Sequence, residues 1–133
     1  MPKSISNKTA QDHLEDAQVN LESLEGSLLR LFVSYGQCDL SEDKAKAMIS
    51  VCEMLANGAL EDIESASAKT KVDIRASITQ AYGIVIMLEE IKGFHLAKGY
   101  TEAAIHGLFT VAGTLNQSLE TVVDAIINAG GAA

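Results

Sequence analysis

The side chains able to carry chemistry are three histidines (His13, His95, His106), two cysteines (Cys38, Cys52) and eighteen carboxylates. Helical di-metal centres repeat Glu-x-x-His on inward faces, because a carboxylate and an imidazole one turn apart can share an ion. The residues three before these histidines are Ala10, Lys92 and Ala103, so that pattern is missing. Glu102 and His106 lie one turn apart, a pairing more often used for capping than for half a metal site. Nucleophile elbows, phosphate loops and dinucleotide fingerprints need glycine spacings that the chain lacks. Cys38 and Cys52 are too far apart for a CxxC motif and too few for a disulfide framework. They read as small apolar residues of a reducing, cytoplasmic setting. The expectation is a non-enzymatic chain with no metal and no cofactor.

The elements that would position these groups are helices. Aromatics make up 5% of the chain, Trp is absent, the single Pro is at position 2, and Gly is the recurring breaker. Strands would need β-branched and aromatic residues between frequent turn signals, so the class is all-α. In Thr101–Asn128, Ile105, Leu108, Ala112, Leu115, Leu119, Val122 and Ile126 recur at steps of three and four, one seam along about 40 Å of helix. Leu14, Ala17, Leu21, Leu24, Leu28, Leu31 and Tyr35 form an equal seam in a helix starting at Asn7 or Thr9, with Gly36 as its stop. A second helix, 42–65, follows a Ser41 cap and carries Met48, Cys52, Leu55, Ala59 and Ile63; Asn57-Gly58 is its possible break. A third, 70–92, carries Ile74, Ile78, Ala81, Val85 and Leu88, with further apolar surface at Tyr82 and across 84–88.

Short connections between four such helices predict an antiparallel, up-down-up-down four-helix bundle with heptad-like seams; a pair of helical hairpins that completes its core by dimerisation is the alternative. Residues 1–8 read as a flexible arm, 9–128 as one domain and 129–133 as a flexible tail. Thr101–Asn128 contains no Lys or Arg, and its apolar residues cover more than one side. Ala104, Leu108, Val111, Leu115, Val122 and Val123 are therefore the expected core or oligomer face, with a homodimer favoured.

One local stretch, His95-Leu96-Ala97-Lys98-Gly99, resembles the His-x-x-Lys-Gly core of histidine phosphotransfer domains, which are themselves four-helix bundles. The resemblance covers five residues. It implies His95 as phosphoacceptor, Lys98 as the partner of the phosphoryl charge and Gly99 as clearance for an incoming response regulator. Against it stands the plain reading of 93–101 as a connection, with Phe94 and Leu96 docking it and His95 in water.

Net charge is −8 and the pI near 4.7, which opposes direct binding to nucleic acid or to an anionic membrane surface. No uninterrupted apolar run exceeds Ile84–Leu88, far short of a membrane span, and the first residues lack the apolar core of a secretory signal. Twelve of the eighteen acids precede residue 66, where only five basic residues stand. The first two helices are the acidic half and the last two the apolar half. Asp12, Glu15, Asp16, Glu22 and Glu25 mark an acidic face suited to another protein, in an adaptor or inhibitor that masks a basic or nucleic-acid-binding surface. A structural homo-oligomeric scaffold is the remaining alternative.

Overall fold

The computed structural model describes residues 7–37, 40–93 and 98–130, with the backbone alone at Gln37, Lys98 and Gly99. Four helices hold these residues: α1 (Ala10–Gln37), α2 (Glu42–Ser67), α3 (Arg75–Gly93) and α4 (Lys98–Asn128). Among the described residues there is no strand. α1 packs on α2 and α4, and α3 packs on the same two; among the described residues the diagonal pairs α1/α3 and α2/α4 have no close backbone approach. One continuous apolar core lies between them.

Each helix begins and ends for a local reason. Thr9 opens α1: its hydroxyl accepts the Asp12 N–H at 3.1 Å, and the Asp12 carboxylate accepts the Thr9 N–H at 3.1 Å. This reciprocal cap satisfies two of the donors that a helix start leaves without partners. The same bonds hold the Asp12 carboxyl below its ordinary value. Asn7, the other expected start, lies outside the helix. α1 runs through Gly36 to Gln37 instead of stopping at Tyr35. A C′ glycine works through positive φ, and the one described glycine with positive φ is Gly130. Ser41 caps α2 as expected, accepting the Lys44 N–H at 3.2 Å.

α2 passes straight through Asn57-Gly58 and ends at Ser67, two residues beyond the expected 65. The glycine serves packing: a Cβ at position 58 would stand 2.9 Å from the Asn20 amide nitrogen on α1. The Asn57 amide donates along its own helix to the Glu53 carbonyl. α3 starts at Arg75 and not at 70. Before it, Thr70 Oγ1 accepts the Val72 N–H, and Asp73 accepts both the Arg75 N–H and its guanidinium at 2.9–3.0 Å. These side chains offer the backbone a turn in place of a helix. Arg75 draws the Asp73 carboxyl down to about 2. α4 starts at Lys98, three residues before the expected Thr101, which is buried in its first turn.

The expected seam of α1 is buried from Leu14 to Leu31, with Tyr35 half-buried. On α2 the buried line is Ala45, Ile49, Cys52, Ala56, Ala59, Ile63 and Ala66, which leaves Met48 and Leu55 half-buried at its flank. On α3, Ser77, Ile84 and Ile91 join the core while Ile78 sits at its edge; Tyr82 and Met87 face outward. On α4 the seam passes through Val123, and Val122 is half-buried. That shift is what a straight helix of 3.6 residues per turn does to a 3.5-residue repeat.

Gly58→Ala separates packing from helix propensity. Alone, its methyl displaces the Asn20 amide and cancels the expected gain. In an Asn20→Ala background the same change stabilises by about 1 kcal/mol in urea melts, the helix-interior difference between Gly and Ala. Equal effects in both backgrounds would contradict the close approach.

Candidate functional site

The outward side of α1 begins as an acidic strip. Asp12, Glu15 and Glu22 are exposed, and between them Val19 keeps 62% of its surface in water. Helical spacing of three and four residues puts these side chains on one face. Asp16 is half-buried and pairs with Lys8 at 2.7 Å. Glu25 turns away from this strip to the α1/α4 seam, where it accepts the Asn116 amide at 3.5 Å. A Cβ at Gly113 would stand 3.1 Å from it. Gln18 spans the same seam, donating to Glu120 at 2.7 Å. The structure thus gathers four of the five expected acids and places Glu25 apart. The exposed Glu61 and Glu64 of α2 extend the acidic character at that end.

Beneath the strip lies a polar cluster that the Glu-x-x-His test could not reveal. His13 is 5% exposed; its Nδ1 stands 3.5 Å from Asp62 Oδ1, and its Nε2 stands 3.4 Å from Lys69 Nζ. Lys69 Nζ also donates to the Lys8 carbonyl at 2.6 Å, and the Asn20 amide donates to Asp62 at 3.5 Å. An ammonium can only donate, so Nε2 is the acceptor and the ring proton sits on Nδ1, toward Asp62. No well-formed hydrogen bond closes that gap. The contact with Asp62 is therefore electrostatic. The available sequence signal was positional: His13 and Asn20 are seven residues apart, along the flank of the leucine seam.

The other candidates divide between core, surface and undescribed positions. His95 and Cys38 lie outside the described residues; Lys98 and Gly99 contribute helical backbone to the first turn of α4. Cys52 is buried, and burial pushes its thiol up to about 11, which keeps it protonated and unreactive at neutral pH. His106 is exposed and lies against Phe32 with ring centroids 5.4 Å apart. Leu108, Leu115 and Val123 belong to the core, Ala104 and Val122 are half-buried at its margin, and Val111 is 41% exposed. Among the described residues, no three His, Cys, Asp or Glu side chains are grouped to hold a metal, and no helix is long and apolar enough to cross a membrane.

Open hollows mark the surface formed by the described residues. One, of about 570 Å³, is lined by Ala68–Val72 and by Ala129 and Gly130. Another, of about 360 Å³, runs between α1 and α2. Compared with protein-family models, with curated proteins and with solved structures, the chain matches none.

Burial pushes the Asp62 carboxyl above its ordinary value, against the pull of His13 and Lys8. A carboxyl raised on folding contributes stability below the unfolded value near 3.8, and that contribution is lost as pH rises through the folded value. Asp62→Asn is neutral throughout and keeps an acceptor for Asn20. It is expected to melt slightly above wild type at pH 7 and level with it below pH 3.8. A variant less stable than wild type at pH 7 would mean that the charge on Asp62 is needed.

Proposed function

We propose that this chain is a non-enzymatic protein-binding regulator whose α1 face engages a basic surface on another protein. The observation that carries the reading is Val19, 62% exposed among Asp12, Glu15 and Glu22. An apolar side chain ringed by like charges costs solvation while free and gains contact and charge complementarity when covered by a basic surface. A net charge of −8 steers such a partner before contact is made. An adaptor, or an inhibitor that covers a nucleic-acid-binding surface, are forms of the same activity. A cytoplasmic setting suits a free, buried Cys52.

The proposal includes an antiparallel arrangement of the four helices. It is supported by contacts whose numbers rise along α1 and fall along its neighbours: His13 with Asp62 and Asn20 with Gly58 on α2, then Gln18 with Glu120 and Glu25 with Asn116 on α4. It also includes a homodimer through α3 and α4. Residues 76–88 and 103–119 contain no Asp, Glu, Lys or Arg, and Tyr82, Met87 and Val111 are exposed there. Two copies at −8 each repel least across that uncharged side.

Affinity capture with wild type and with an Asp12→Lys, Glu15→Lys, Glu22→Lys variant tests the main reading. Proteins with basic surfaces should be retained by wild type, elute as salt rises, and be lost from the variant. An identical set on both baits would contradict it and leave the oligomeric scaffold as the better reading.

Light scattering tests the homodimer. Wild type should have twice the 14.1 kDa chain mass, and Val111→Glu the mass of one chain with its melting little changed. Glu22→Lys should keep the doubled mass. A wild-type mass of one chain at micromolar concentration would exclude the pairing.

A further inference from the structure

The hollow between α1 and α2 is lined by Ser23, Gly26, Ser27 and Arg30 from one side and Met48 and Val51 from the other. Its floor is low because α1 contributes two serines and a glycine there; a Cβ at Gly26 would meet no atom within 4 Å. Its α2 side is apolar and open, with Val51 51% exposed, and the neighbouring Met54, outside the lining, is 73% exposed. Val19, 62% exposed, lies four residues before Ser23 on α1, and past Met54 the gap closes where Asn20 packs on Gly58. From Ser23 to Arg30 this trough is about 10 Å long, roughly two helical turns.

Charge is distributed unequally along it. At the Val19 end stand Glu15, Asp16, Glu22, Glu61 and Asp62, of which only Asp16 has a lysine salt bridge among the described residues. At the other end are Arg30 and Lys44, which make no ion pair among the described residues. A shallow, largely apolar trough two turns long accepts a helix laid along it by an apolar stripe. The acidic end selects the charge of that helix.

We infer that the α1/α2 trough is the docking site for an amphipathic helix of the partner protein, with an apolar stripe at i, i+3/i+4 and i+7 and Lys or Arg gathered toward one end. This rests on the partner-binding reading above and specifies its geometry. The stripe lies over Gly26, Val51 and Met54, and the basic end reaches Glu15, Glu22 and Glu61. Small residues at the floor let the two backbones approach, and the exposed methionine adapts to the side chains it receives.

The probe is a fluorescent synthetic peptide of about 16 residues, about 24 Å as a helix, long enough to cover the trough and reach the acids beyond its Ser23 end. It carries leucines at helical spacing, lysines in one half, and Gln and Ala elsewhere. Fluorescence anisotropy compares it with the same composition scrambled and with glutamates in place of the lysines. Wild type should bind the striped basic peptide at least tenfold more tightly than either control. Gly26→Gln with Val51→Gln fills and polarises the trough at exposed positions, so melting should stay near wild type while affinity falls at least tenfold. Glu15→Gln with Glu22→Gln should weaken binding and flatten its salt dependence. If the charge pair matters and the trough pair does not, the acidic face stands and the docking inference falls. If neither pair alters binding, or the peptide does not bind, the docking inference falls, and capture on the intact chain decides the partner reading separately.

Discussion

The structure depends on one helix being apolar on one side without interruption. Leu14, Leu21, Leu24, Leu28 and Leu31 of α1 are fully buried, and α1 meets both α2 and α4 along that side. Removing one such side chain to Ala typically costs 2–5 kcal/mol, a large part of the stability of a domain this size. α3 and α4, by contrast, share the slightest of the four helix-to-helix contacts. α1 is therefore the spine, and its other side is free to vary in charge without disturbing the core.

That constraint sorts the polar residues. Those toward α2, His13 and Asn20, are drawn into contact with Asp62 and Lys69, where each must find a partner or carry the cost of burial. Those toward α4, Gln18 and Glu25, bridge the seam near its edge. Asp12, Glu15 and Glu22 remain in water. An acidic strip with Val19 at its centre thus follows from the same helical period that buries the leucines. Uncharged surface collects on α3 and α4, on the far side of the core, which is the physical basis for assigning partner and self-association to different halves.

The leucine seam of α1 was legible because large apolar residues hold every position of it. α2 was harder: its buried line runs through Ala45, Ala56, Ala59 and Ala66, and alanine contrasts little with its surroundings, so the bulkier Met48 and Leu55 suggested a neighbouring register. The apolar phase carried one helix across Asn57-Gly58, as found, but the reason for the glycine was hidden because the opposing Asn20, which needs the missing Cβ, is remote in sequence. The late start of α3 reflects side-chain bonds at Thr70 and Asp73 that periodicity does not register. The acidic face was readable as helical spacing, but the turn of Glu25 toward α4 needed the position of Asn116. The His13 cluster joins three separate segments, and no pattern within one segment contains it.

The central claim is that binding and self-association use opposite sides of the molecule. Methyl-resolved NMR during titration with the striped basic peptide tests it most directly, because valine and methionine probes lie on both sides. The account predicts that Val19, Val51 and Met54 shift together and saturate at one midpoint while Met87 and Val111 stay in place. Shifts confined to Met87 and Val111 would contradict it.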